Sequence, residues 1–141
     1  MQPDWPDFYP PLRVIVAAVM VVGLPGFALA CRCIEPSPAQ AYKAAQGVVF
    51  GEVISVRKEN ERGDVVYVFE VAESWKHNLE RQITIHSGTT CSFNANAGLK
   101  YVLFLRQTKS GNYDTGQCMG NQSEAKAGPT LQYLRAMKPA K

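Results

Sequence analysis

Val48-Val49-Phe50-Gly51-Glu52-Val53-Ile54-Ser55-Val56 is the stretch whose reading decides the fold. It is rich in β-branched residues, which favour a pleated strand over a helix. Gly51 in its middle predicts a bend or bulge. The chain downstream repeats the theme. Polar residues 57–64, with Gly63, read as a hairpin connection to a second strand at 65–72. A short third strand is predicted at 83–85. A fourth follows Gly98 at 99–106, and its nearly unbroken apolar character, with Leu103 and Leu105, suits burial on both faces. The turn Ser110-Gly111-Asn112 leads to a fifth at 113–118. Short strands at this spacing, with few helices, argue a small closed barrel or sandwich, and a five-stranded Greek-key barrel fits the count. The expected core is Val49 or Phe50, Val53, Phe69, Val71, Ile83, Tyr101, Leu103 and Leu105.

Short helices flank the strands. Ser37 reads as an N-cap with Pro38 at the first helical position, predicting a helix over 39–46 that Gly47 ends. At the other end, 129–137 reads as one amphipathic helix with Leu131, Leu134 and Met137 on one side. Upstream of all this, residues 14–30 form an uncharged apolar run after Arg13, closing on Ala28-Leu29-Ala30. This layout predicts a secretory signal peptide at 1–30, cleaved between Ala30 and Cys31, and a single domain over 31–141. The run is short for a membrane anchor and is interrupted by Gly23, Pro25 and Gly26. A Cys directly after the cleavage point also suits a bacterial lipoprotein signal, although Ala28 stands where that signal prefers a large aliphatic residue. No membrane association is expected after cleavage unless Cys31 is lipidated.

The chain carries a net charge of +3, and the surplus is scattered rather than striped. Without a basic stripe interleaved with aromatics, nucleic acid is not an expected partner. All four cysteines, Cys31, Cys33, Cys91 and Cys118, lie after the signal run. An even count in a short exported chain predicts disulfides. Cys31 and Cys33 are too close in sequence to pair without strain. Two connectivities remain, each tying the N-terminal Cys-x-Cys to two distant segments. A zinc site fits less well, because structural zinc sites use two-residue spacers and thiolates.

No enzyme chemistry is legible. His77 and His86 stand outside any metal-binding spacing, and Glu70 and Glu73 read as solvated charges. There is no nucleophile elbow, phosphate loop or dinucleotide glycine pattern, and no cofactor is implied. Ser87-Gly88-Thr89-Thr90 reads as a loop ending at Cys91. A small stapled barrel of this kind is expected to bind something rather than to turn it over.

The ordered set of segments resembles the netrin-like domain family, and within it the tissue inhibitors of metalloproteinases and their short bacterial look-alikes. The segments are CRC at 31–33, AAQGVVFGEVISV, YVFEVAESWKHN, ITIHSGTTCSF, AGLKYVLFL and YDTGQC. The resemblance implies an all-β OB-fold barrel with short flanking helices. It implies Cys31 paired with Cys91 and Cys33 paired with Cys118. It also implies a function, inhibition of a zinc metalloendopeptidase. The free α-amino nitrogen and carbonyl oxygen of Cys31 would sit in trans on the protease zinc. Arg32 would enter the specificity pocket, with Cys33, Ile34, Thr89 and Thr90 in contact beside it. The residue after the first Cys is typically small and polar in that family; here it is Arg32, which an apolar pocket would reject because burying an unpaired charge is costly. A non-inhibitory extracellular binding module is the alternative that the same resemblance allows.

Overall fold

The computed structural model describes residues 31–88 and 91–137. The expected signal peptide at 1–30, and Thr89 and Thr90, lie outside the described residues. The elements run α1 (Pro38–Ala44), β1 (Gly47–Lys58), β2 (Val65–Ser74), β3 (Gln82–Ser87), β4 (Lys100–Gln107), β5 (Tyr113–Asp114), a single 3₁₀ turn at Gln117–Met119, β6 (Gln122–Ser123) and α2 (Gly128–Arg135). The strands follow the order β1-β2-β3-β5-β4, and β4 pairs back onto β1, closing a five-stranded OB-type barrel. All pairings are antiparallel except β3 with β5.

β1 makes the closure possible, because it pairs with β4 over its first half and with β2 along most of its length. Its register against β2 slips between Phe50 and Gly51 and again between Val53 and Ser55. The first slip explains the glycine. A Cβ at Gly51 would stand 1.9 Å from the Glu70 carbonyl oxygen, so only glycine lets the two backbones approach this closely. The bend expected at Gly51 is therefore a bulge that curls the sheet.

Two cores sit on opposite sides of the wall that β1 and β4 build. The barrel interior holds Val49, Val53, Tyr67, Phe69, Ile83, Ile85, Tyr101, Leu103 and Leu105. The outer core, under α1 and α2, holds Ala41, Val48, Phe50, Trp75, Val102, Phe104, Leu131 and Leu134. Strand period two explains the split, since alternate residues of β4 face opposite ways. Val49 and Phe50 are both buried, one in each core, and Val71 is only half-buried against the barrel interior.

Three details differ from the sequence reading. α1 ends at Ala44 rather than at residue 46, because Ala45 is already extended and the Gln46 N–H donates to the Leu105 carbonyl. The N-terminal end of α1 is a capping box between Ser37 and Gln40. The fifth strand is only two residues long, since Thr115 turns inward to bond β4 through its side chain. A short β6, not foreseen, pairs Gln122 and Ser123 with Val102 and Tyr101.

Candidate functional site

The site is the N-terminal segment 31–36, which belongs to no helix or strand, and the two loops that hold it. Cys31 is bonded to Cys91, with Cα atoms 5.5 Å apart, and Cys33 to Cys118, with Cα atoms 5.0 Å apart. This is the connectivity that the resemblance implies. The bonds span 60 and 85 residues of sequence. Disulfides of this kind persist in oxidising compartments. Among the described residues, no helix is long and apolar enough to cross a membrane.

Each holding loop is fixed to the barrel by buried polar side chains. The Tyr67 hydroxyl donates to the Phe93 carbonyl at 2.5 Å and accepts from the Ala95 N–H at 3.2 Å. Burial pushes the Tyr67 phenol up from its ordinary value, opposed by the Ala95 bond and helped by nearby Tyr101. The buried Ser87 hydroxyl donates to the Thr115 carbonyl and accepts from the Phe93 N–H. These bonds pin the loop that carries Cys91. Cys91 itself has φ +59°, a left-handed backbone uncommon outside glycine.

The Cys118 loop is fixed by a different device. β5 and β6 bond β4 at Arg106–Gln107 and at Tyr101–Val102, leaving Phe104 between them without a strand partner on that side. Side chains fill the gap. The Phe104 N–H donates to Asn121 Oδ1 at 2.7 Å, and Thr115 Oγ1 donates to the Phe104 carbonyl at 2.8 Å. Asn121 Nδ2 donates in turn to Thr115 Oγ1 and to the Gly116 carbonyl. The two loops also touch each other, since the Gln117 N–H donates to the Cys91 carbonyl at 2.8 Å. The two disulfides thus rise from one hydrogen-bonded base.

Above that base, the segment alternates. Cys31 and Cys33 are half-buried, whereas Arg32 is exposed and Ile34 is 95% exposed. The bonded side chains are thus the more buried ones of this stretch, and Arg32, though exposed, also lines the cleft beside them. Among the described residues, the backbone of 31–36 makes no hydrogen bond to the rest of the chain. Arg32 makes no ion pair among the described residues, while the next acid, Glu35, is engaged by Gln122 Nε2 at 3.1 Å. A cleft of about 430 Å³ lies along the segment, lined also by Glu35, Pro36, Gln117, Gly120 and Asn121. Sequence reading did not single out these five. Asn121 and Gly120 carried a faint signal, as turn-prone residues just after a cysteine.

The other candidates lie elsewhere. His77 is exposed in the β2–β3 connection, and His86 Nδ1 stands 3.6 Å from a Glu59 carboxylate oxygen on the hairpin side of the barrel. Glu70 pairs with Arg81, and Glu73 takes two bonds from Arg135, whose guanidinium is thereby pushed above its ordinary value. Among the described residues there is no cluster of three side chains suited to a metal ion. In comparisons with known proteins, no family model and no curated sequence matches the chain.

Proposed function

We propose that this chain is an exported, netrin-like protein that inhibits a zinc metalloendopeptidase through its N-terminal Cys31. The observation that carries the reading is the double staple. Cys31 and Cys33 are tied to two different loops, and the backbone of the segment they anchor makes no hydrogen bond among the described residues. Cleavage after Ala30 would leave the α-amino nitrogen and the carbonyl oxygen of Cys31 as a fixed chelating pair. A catalytic zinc keeps one coordination position open for such a ligand. Because the staple has already ordered the segment, little conformational entropy is lost when it binds.

A second reading has one observation in its favour. Arg32 is long and charged where the resembled inhibitors carry a small polar residue, which suits a binding module that never enters a protease pocket. Two measurements separate the readings. Mass spectrometry of the exported protein is expected to give Cys31 as a free N-terminus, bonded to Cys91. Inhibition constants are then measured over a panel of zinc endopeptidases, for the native N-terminus and for a form extended by one Ala. Inhibition by the native form alone is expected, weakening as pH falls below neutrality because the α-amino group must be unprotonated to bind zinc. Equal inhibition by both forms would overturn the amine–zinc mechanism. A blocked Cys31, or no inhibition by either form, would favour the binding module instead.

A further inference from the structure

We infer that the groove between β3 and the turn before β5 binds a neutral sugar, a function separate from the inhibitor reading above. The groove exists because the barrel wall is incomplete there. β5 meets β3 only at Ile85 and His86, so Gln82, Ile83 and Thr84 have no strand beside them on that side. The turn before β5 closes on itself instead of covering them. The Thr108 N–H donates to the Asn112 carbonyl, and the Gly111 N–H donates to the Thr108 carbonyl. The opening left between turn and strand measures about 460 Å³, within the range of small-molecule sites, and it shares no residue with the cleft along 31–36.

The lining selects the ligand. Tyr113 and Leu79 give it an apolar part, since both are half-buried and pack on the barrel core. The rest is polar and exposed: the amides of Asn78, Gln82 and Asn112, the Thr84 hydroxyl and the Glu80 carboxylate. Neighbouring polar side chains are taken up in pairs of their own, Thr108 with Ser110 and Asp114 with Arg106. The five polar lining side chains make no hydrogen bond or ion pair among the described residues. An amide carries both an acceptor and two donors, which matches a hydroxyl, itself donor and acceptor. An aromatic ring attracts weakly positive C–H bonds to its negative face. Three amides and a hydroxyl beside such a ring suit a molecule with many hydroxyls and a face of C–H bonds, which describes a sugar ring. Charge narrows the class. No Lys, Arg or His lines the groove, although the chain carries a net charge of +3. Its one ionised group, Glu80, disfavours a phosphate or a sulfated glycan, and a single exposed carboxylate holds a cation only weakly. A peptide would draw on the free edge of β3, which is only three residues long.

The test titrates the exported protein, followed by its amide NMR resonances, with neutral disaccharides of hexoses, pentoses and N-acetylhexosamines. A sulfated heparin disaccharide and a short neutral peptide serve as comparison probes. At least one neutral disaccharide is expected to shift the amides of 78–84 and 111–113 saturably, and the two comparison probes are expected not to. Gln82→Ala and Asn112→Ala, both at exposed positions, are each expected to weaken that binding by about two- to tenfold, the worth of one hydrogen bond. Tyr113→Leu keeps an apolar group against the barrel core, and it is expected to weaken binding by a similar factor through loss of the ring face. Arg32→Thr, in the other cleft, is expected to leave it unchanged. The inference falls if no neutral disaccharide gives a saturable shift, or if the shifts lie on other surfaces. It falls equally if the sulfated disaccharide or the peptide binds more tightly, or if either amide variant keeps full affinity.

Discussion

β4 and the segment 31–36 are held by opposite means. β4 buries Tyr101, Val102, Leu103, Phe104 and Leu105 in succession, alternately into the barrel and under the helices, and it bonds β1, β5 and β6 through its backbone. The arm buries little, makes no backbone hydrogen bond among the described residues, and stays in place through two covalent links. The difference shows how the molecule separates two tasks. Packing and strand pairing build the platform. The disulfides hold the arm on that platform, and its backbone makes no hydrogen bond among the described residues.

The largest test removes packing from the platform. Phe104→Ala is expected to cost about 3–5 kcal/mol, since the ring is fully buried in the outer core and its removal leaves a cavity there. The drop is read from the urea midpoint at constant slope. A loss confined to a few tenths would mean that the outer core is dispensable, and the comparison would collapse.

The next test removes one covalent link. Replacing Cys33 and Cys118 together by Ser is expected to cost about 2–5 kcal/mol, with the long closed loop giving about 4 in the chain-entropy model. The far-UV spectrum of the folded state should not change, because the strands do not depend on the bond. Loss of the β-sheet signal at neutral pH without denaturant would show that the staple builds the platform as well as the arm.

The smallest effect concerns the joint between the two regions. Tyr67 holds its proton more tightly when folded than when unfolded, because burial disfavours the phenolate and the hydroxyl must donate to Phe93. Its contribution is complete below the ordinary phenol value of 10.0 and is lost as pH rises through the higher folded value. Stability measured from neutral pH upward is expected to fall in that alkaline range, and Tyr67→Phe should flatten that part of the curve. An unchanged slope in the variant would assign the fall to other groups.

Most of the platform is legible in the sequence because β-branched and aromatic residues alternate with turn residues at the right intervals. The apolar run of β4 implies burial on both faces, and the structure places a core on each. The membership of the outer core is not legible in the same way. Trp75 falls beyond the strand expected at 65–72, yet it is buried in the same core as Phe50 and Phe104, and no local pattern reveals that the chain there covers a second core. The fifth strand is shorter than its sequence suggests because Thr115 and Cys118 look strand-compatible. Only the tertiary position of Asn121 shows that side chains take over the ladder at Phe104. At the site, counting finds the four cysteines, but the cleft residues Glu35, Gln117 and Asn121 are ordinary polar residues in sequence.

One consequence follows from the shortness of β5. The barrel closes through two residues, Tyr113 and Asp114, which meet Ile85 and His86 on one side and Gln107 and Arg106 on the other. The fold is therefore less a ring than a clasp, with a single brief seam where breathing motions have the least to undo. The Cys33–Cys118 bond leaves the chain just after that seam. When the clasp springs open, its loose end stays tethered, so it re-fastens at the high effective concentration of an intramolecular partner. Amide hydrogen exchange should accordingly be quick at the seam and slow in β4, with each opening brief.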